Sequence, residues 1–274
     1  METLLKTYID DKDARIGIGL IINGKDTIEV NGKEEFPMMS VFKFPLALVV
    51  AHIIDSKGME LGASIKISEE DLKENTWSPM VLKYGRKPMV LSVRELLEWS
   101  LKESDNNAAD ILLDYIGGIE GMNFNMRQMN LPKEIKIGAT EDDMHRNPSL
   151  CYLNMSTPIA IAELLNYFNL KLRDSSDSFR EVALMMENCK TGTDRLAAPF
   201  ISSGAVLGHK TGTGDKQESG RISAINDCGY VNLPDSNFYS IAVFIADSGY
   251  DIADTSAMIA EISRIVYQEV CKEK

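Results

Sequence analysis

Histidine is scarce in this 274-residue sequence: only His52, His145 and His209 occur. A Ser–His–Asp relay needs an imidazole beside its nucleophile, and no local pattern around these three supplies one. Cysteine is nearly as sparse. Cys151, Cys189, Cys228 and Cys271 form no C-x-x-C pair and no metal-like grouping, so the expectation is free thiols and no metal site. The signatures G-x-S-x-G, H-E-x-x-H, G-x-G-x-x-G and the phosphate-binding G-x-x-x-x-G-K-[ST] are all absent, which removes the chemistries they carry. Long hydrophobic runs are missing too. Phe44 to Ala51 contains Pro45 and stops at His52, far short of the ~20 residues of a membrane span. Met1-Glu2 opens the chain without a basic or apolar leader pattern. Positive charge is in deficit, 29 Lys and Arg against 41 Asp and Glu for a net charge of −12. Nucleic acid, bound chiefly by phosphate neutralisation, is a poor partner for such a surface.

What is present describes a globular protein. Hydrophobic residues make up 44% and charged residues 26%, ordinary values over a length that suits one large domain or two lobes. Strand-like segments Arg15–Ile22 and Thr27–Val30 flank an Asn23-Gly24 turn. Helices are predicted over Thr3–Ile9, Ser40–Ile54, Val93–Lys102, Ala108–Ile116 and from Thr157-Pro158 onward. The third opens with the capping box Ser92-Val93-Arg94-Glu95. Strands return at Val206–Thr211, Ile222–Asn226, Tyr230–Leu233 and Tyr239–Ala246, and a helix closes the chain from Ala257 to Val270. Strands at both ends with helices between predict a mixed α/β fold. An antiparallel sheet lobe with packed helices would use both termini, residues 1–32 and 187–274. An all-α lobe, 33–186, would be inserted, with a ligand cleft at the seam.

Three short motifs carry chemistry. Ser40-Val41-Phe42-Lys43 is the only S-x-x-K in the chain. Residues three apart share a helix face, so a desolvated Lys43 amine can take a proton from Ser40. If Ser40 opens the helix, its outward N–H can receive an oxyanion. A capping serine and a solvated lysine is the plainer alternative. Ser104-Asp105-Asn106 lies between two predicted helices and also reads as a polar turn capped by Ser104 or Asn106. Lys210-Thr211-Gly212, followed by Thr213-Gly214, ends a strand, where glycine permits close approach of a ligand. A second copy, Lys190-Thr191-Gly192, sits in a loop-like stretch and reads as structural.

In this order the three motifs are those of class A β-lactamases and penicillin-binding proteins, and the whole chain resembles a class A serine β-lactamase. Trp77-Ser78-Pro79, Thr140-Glu141-Asp142-Asp143-Met144-His145, Thr193-Asp194-Arg195 and the closing helix add to the likeness, which is strongest to a divergent cephalosporinase and extended-spectrum branch.

The resemblance implies hydrolysis of the β-lactam amide of penicillins and cephalosporins through a serine acyl-enzyme, and so antibiotic resistance. Ser40 would be the nucleophile and Lys43 its proton acceptor, a task Glu141 and a water can share. Glu141 would activate the water that breaks the acyl-enzyme. Ser104 would protonate the leaving nitrogen, with Lys210 holding its hydroxyl. The N–H groups of Ser40 and Thr213 would bind the oxyanion, and Thr211 and Gly212 would line the strand beside the substrate. Asn106 would contact the substrate's side-chain amide and Trp77 would wall the cleft. His145 stands where most members hold the water with Asn. Arg195 would grip the substrate carboxylate, with Arg221 the alternative. Where most members pin the glutamate's loop with an Arg–Asp pair, this chain has Ala139 and Asn154. The likeness implies no metal or cofactor, a small-molecule substrate, no nucleic acid or membrane partner, a monomer, and action in the periplasm or outside the cell after removal of a leader. A DD-peptidase or transpeptidase, and a sensor domain that is acylated and stops, share the three motifs; Glu141 separates them from the hydrolase. A glutaminase of the same fold is more distant, since S-D-N argues against it.

Overall fold

The computed structural model describes residues 1–172, 176–200 and 203–272. The helix α1 (Glu2–Ile9) leads into β1 (Arg15–Ile22), β2 (Asp26–Val30) and the short β3 (Phe36–Pro37). A helical region follows: α2 (Lys43–Ser56), the strand β4 (Ser64–Ile67), α3 (Pro79–Tyr84), β5 (Met89–Ser92), α4 (Val93–Lys102), α5 (Asn106–Tyr115), α6 (Gly118–Gln128), α7 (Glu141–Arg146), the short β6 (Met155–Ser156), α8 (Pro158–Lys171) and α9 (Asp177–Glu187). The chain then returns to strands β7 (Val206–Thr213), β8 (Ile222–Asn232) and β9 (Phe238–Ser248) and ends in α10 (Ile252–Lys272).

The five long strands form one antiparallel sheet in the order β2-β1-β9-β8-β7, so the N-terminal hairpin pairs with a C-terminal strand. Side chains alternate across it as strand geometry requires. Ile16, Ile18, Leu20 and Ile22 of β1 share a core with Leu5 of α1 and Ile259, Ile262 and Val266 of α10. Ala242, Phe244 and Ala246 of β9 point the other way, into a core with α2, α4, α5, α8 and α9. The mixed α/β architecture read from the sequence is the observed one.

Four local readings change. The Met39–Ser56 segment is apolar and long enough to cross a membrane by composition, with Ser40, Lys43, His52 and Asp55 interspersed, but 78% of it is buried as the central element of the helical core. Its first turn is not α-helical. Met39–Phe42 is a 3-10 turn and α2 starts at Lys43. Pro45 explains this, because its ring clashes with the carbonyl four residues back, that of Val41. The predicted strands Ile222–Asn226 and Tyr230–Leu233 are one strand, β8, running through Asp227-Cys228-Gly229. Asp227 broke the apolar pattern without making a turn: it is buried against His209 of β7. Finally, α5 is capped by Asp105, whose carboxylate accepts from Ala108 N, rather than by Ser104 or Asn106.

Candidate active site

Ser40 is held at the entrance to α2, just after Met39, which takes a left-handed backbone at φ 48°. Gly212 of β7 passes close to this turn. A side chain there would meet Met38 O at 2.5 Å and Met39 Cβ at 3.1 Å. The glycine of K-T-G is thus required by packing against the serine turn, where the sequence suggested room for a ligand.

Lys43 is fully buried one helical turn inside. Its Nζ donates to Ser104 O at 2.8 Å and Asn106 Oδ1 at 2.6 Å, and pairs with Glu141 Oε1 at 2.8 Å. An ammonium has three donors, and three acceptors surround it. Ser40 Oγ donates to Glu141 Oε1 at 3.3 Å. Serine and lysine therefore meet on one carboxylate oxygen.

Ser104 sits between two lysines. Its backbone is left-handed at φ 58°, its carbonyl faces Lys43, and its Oγ accepts from Lys210 Nζ at 2.9 Å. Burial pulls the Lys210 ammonium down to about 8; the Cys189 thiol opposes that shift and the Lys43 charge adds to it. Asp105 is the structural member of the tripeptide. It accepts from Ser78 Oγ (2.8 Å) and Met80 N (2.7 Å), while Trp77 O accepts from Asn106 N (3.0 Å). These bonds fasten Trp77-Ser78-Pro79 to Ser104-Asp105-Asn106. Trp77 is 59% exposed and walls the cleft. Asn106 divides its amide, accepting from Lys43 and donating to Thr76 Oγ1 at 2.9 Å. A second N–H of that amide remains for a substrate.

Glu141 is the first residue of α7, which Thr140 and Asp143 close with a capping box. Asp110 on α5 accepts from Glu141 N at 2.8 Å and from Asp142 N at 2.9 Å. Burial, reinforced by the Glu141 charge, pushes the Asp110 carboxyl up to about 7. The loop is also pinned without the common ion pair. The buried Asn154 amide accepts from Gly138 N (2.9 Å) and Ala139 N (3.0 Å) and donates to Ala139 O (2.9 Å). An amide satisfies both kinds of backbone group without the cost of burying a charge.

The remaining candidates separate. Thr211 and Thr213 line the cleft, and His145 is exposed at its rim. Arg195 does not line it. The guanidinium is buried behind β7, donating to Ser256 Oγ, Gly212 O, Asn226 O and, at 2.8 Å, Thr213 Oγ1. Arg221 is tied to Asp13 and Asp247 O, away from the cleft lining. The second K-T-G copy is part of the site. Thr191 lines the cleft and its Oγ1 lies 2.6 Å from Thr211 Oγ1.

The cleft measures about 900 Å³ and carries the β7–β8 connection, Asp215 to Ser219, along one side. Gln217 Nε2 donates to Tyr152 OH at 3.0 Å, joining that connection to the segment after α7. Sequence reasoning missed Asp110, Thr191 and this Tyr152–Gln217 contact. Only Asp110 left a signal: it follows Asn106 by four residues and so shares its helix face.

The geometry of this cleft agrees with what the chain is similar to. The model of a beta-lactamase enzyme family matches residues 1–270. A beta-lactamase of Phocaeicola vulgatus is 35% identical, with 92% of this chain and 79% of that protein covered. The extended-spectrum beta-lactamase PER-1 of Pseudomonas aeruginosa is 32% identical, with 97% and 87% covered. Among solved structures, a class A beta-lactamase from Bacteroides cellulosilyticus superposes with a TM-score of 0.92 at 34% identity, covering 98% of this chain and 96% of that one. The TLA-3 extended-spectrum beta-lactamase gives 0.93 at 32% identity and 98% coverage of both.

Proposed function

This chain belongs to the beta-lactamase enzyme family, and from that membership we propose how its cleft does the family's work. The protein is a class A β-lactamase that hydrolyses β-lactams and so confers resistance to them. The peptidase, sensor and glutaminase readings of the motifs fall away.

The proposed route is a serine acyl-enzyme. Ser40 Oγ bonds to the β-lactam carbonyl carbon as its proton passes to Glu141. The ring C–N bond then breaks, and the nitrogen takes a proton from Ser104, whose hydroxyl Lys210 holds. The proton on Glu141 returns to Ser104 by way of Lys43, which bonds both residues, so that the Ser104 hydroxyl and the carboxylate are restored. Glu141 then takes a proton from water as the water attacks the acyl carbon, and gives it to Ser40 Oγ as the acyl C–O bond breaks. The N–H groups of Ser40 and Thr213 would receive the oxyanion, and Asn106 would meet the substrate's side-chain amide. The observation that carries this reading is the shared Glu141 Oε1, 3.3 Å from Ser40 Oγ and 2.8 Å from Lys43 Nζ. It favours the carboxylate over Lys43 as first proton acceptor, with the lysine's charge stabilising the pair.

We propose a lobe of residues 1–32 with 187–274 and a lobe of 33–186; the core that packs β1 and β9 against α1 and α10, drawn wholly from the first of these, supports it. Cephalosporins with bulky acyl groups are proposed among the substrates. The cleft volume of about 900 Å³ supports this, as does likeness to relatives named extended-spectrum. We further propose action in the periplasm or outside the cell, as a monomer without metal or cofactor and free of the membrane. Mass spectrometry of protein mixed with a cephalosporin tests the route: a covalent adduct on the peptide holding Ser40, absent in Ser40→Ala along with turnover, is expected. An adduct elsewhere, or unchanged hydrolysis in the variant, overturns it.

A further inference from the structure

The segment Lys190-Thr191-Gly192 takes no step in the route above, yet it touches both neighbours of the pair that protonates the leaving nitrogen. Ser104 follows Glu103 at the end of α4, and Lys210 precedes Thr211 on β7. On the α4 side, Lys190 N donates to Lys102 O at 2.9 Å, and the Lys190 ammonium pairs with the Glu103 carboxylate. The last carbonyls of a helix have no partner within it, and a cation is favoured at that end, so Lys190 serves α4 twice. On the β7 side, Thr191 Oγ1 lies 2.6 Å from Thr211 Oγ1. Gly192 holds a left-handed φ of 65°, and a side chain there would meet Thr211 Cγ2 at 2.5 Å. Gly192 O accepts from Arg195 N at 3.0 Å, and the Arg195 guanidinium goes on to Gly212 O and Thr213 Oγ1. Three consecutive residues thus join the end of α4 to the strand that faces the substrate.

We propose, on the basis of the acyl-enzyme route above, that Lys190 and Thr191 are positioning residues: they clamp the end of α4 to β7, so that Ser104 keeps its contact with Lys210 while it protonates the leaving nitrogen.

The backbone of Ser104 shows why a clamp is needed. Its left-handed φ of 58° is a strained conformation that persists only where the surrounding contacts fix it. Those contacts lie on both sides. Asp105 is held by Ser78 Oγ and Met80 N, and Glu103 is held by Trp77 Nε1, which donates to its carbonyl at 3.0 Å, and by Lys190. The Ser104 Oγ–Lys210 Nζ contact of 2.9 Å joins two separate elements, so it depends on how α4 and β7 sit against each other. A shift of about 1 Å at such a contact can cost about a hundredfold in rate. Lys190 is exposed and lies outside the cleft lining, so it acts without touching the substrate. Thr191 does line the cleft, and its role as a clamp is separated from a substrate contact by the step it affects.

Single turnovers of a cephalosporin on the full chain, followed by stopped flow and intact mass, separate noncovalent binding, acylation and deacylation. Thr191→Val keeps the shape and loses the hydroxyl, and its acylation rate should fall about threefold to tenfold, the scale of one hydrogen bond. Lys190→Glu sets like charges together and should slow acylation by a similar factor; adding Glu103→Lys should restore most of it. Thr191→Ser keeps the hydroxyl and should acylate as the wild type does. Deacylation should stay within about twofold in every variant, because Glu141 and water carry it without a proton from Ser104. A role confined to holding the fold would lower the thermal midpoint without separating the two steps. Unchanged acylation in Thr191→Val or Lys190→Glu, equal slowing of both steps, or a charge swap that restores nothing overturns the clamp. A loss confined to noncovalent affinity makes Thr191 a substrate ligand and overturns it as well. In each of these cases a wild-type adduct on Ser40 leaves the acyl-enzyme reading standing. No adduct on Ser40 in the wild type overturns that reading, and the clamp with it.

Discussion

Asp110 accepts the backbone N–H of Glu141 at 2.8 Å, so a half-buried carboxylate on α5 sets where the second carboxylate of the site begins its helix. The same side chain accepts from Asp142 N with its other oxygen. Glu141 N and Asp142 N meet different oxygens of Asp110, and asparagine would replace one of these with an NH2 donor facing an N–H. Asp110→Asn should cost about 1–3 kcal/mol of stability, the penalty for an orphaned buried donor, and lower kcat roughly tenfold to a hundredfold by displacing Glu141. The pH dependence has a definite sign. The Asp110 carboxyl is raised to about 7, so between its ordinary value of about 3.9 and 7 the folded state holds the extra proton. Its contribution to stability therefore falls as pH rises through that window. The thermal midpoints of wild type and variant should converge from pH 4 to pH 7; a constant gap would show that Asp110 does not titrate there.

Glu141→Ala should leave an acyl-enzyme that forms slowly and then stalls. Loss of a general base costs about 10²- to 10⁴-fold in its step, and stopped-flow with intact-mass detection should show adduct persisting. The neighbouring carboxylates are engaged elsewhere, Asp142 with Arg146 at 2.7 Å and Asp143 in the capping box. Normal turnover in Glu141→Ala would nevertheless assign the base to one of them.

Lys210 should give the alkaline limb of the reaction. Burial brings its ammonium down to about 8, so its charge beside Ser104 is present below that pH and lost above it. A profile of kcat/KM should fall as pH passes about 8. Lys210→Ala should be slow throughout and lack this limb. A limb that survives unchanged in the variant belongs to another group.

Most elements were legible in the sequence because their signals are local. The Ser92–Glu95 box and Thr157-Pro158 fix helix starts within a few residues, and α4 and α8 begin where those readings place them. The site was legible for the same reason in Ser40, Lys43, Ser104 and Lys210, since each motif is contiguous. What failed depended on partners far along the chain. The strands Ile222–Asn226 and Tyr230–Leu233 read as separate because the partner that buries Asp227 between them, His209, lies 18 residues away. Thr191 looked like a loop residue because its contact is Thr211 across the sheet edge. Arg195 resembled a substrate ligand, but the carbonyls and hydroxyls that take up its guanidinium come from three separate segments.

Asn154→Ala tests the charge-free pin of the glutamate's loop. The change strands the N–H and carbonyl of buried Ala139 and frees the N–H of exposed Gly138. About 1–3 kcal/mol should be lost, with kcat reduced more than KM because Glu141 lies downstream of the freed backbone. Asn154→Asp should not rescue it, since a carboxylate would face Ala139 O and bury an unpaired charge. Wild-type stability in either variant would mean that the Thr140 cap and Asp110 hold the loop unaided.

Arg195 and Arg221 make opposite predictions about how the substrate carboxylate is recognised. Arg195 holds Thr213 Oγ1 and Gly212 O from behind the strand, so it acts through Thr213 and through the positive charge it adds behind β7. Arg195→Ala should lose on the order of 1.5–3 kcal/mol in kcat/KM, as for a hydrogen bond involving a charged group. A substrate whose carboxylate is esterified should lose less, because it does not feel the charge. Arg195→Lys should restore little, since one ammonium cannot span four acceptors arranged for a planar guanidinium. Arg221 ties the start of β8 to Asp13 at 2.6 Å in a partly exposed pair. Arg221→Ala should shift the thermal midpoint slightly and leave kcat/KM within about twofold, because such surface pairs contribute about 0–1 kcal/mol. If Arg221→Ala loses the activity and Arg195→Ala keeps it, the carboxylate is bound from the β8 end of the cleft and Arg195 serves only to hold β7 in place.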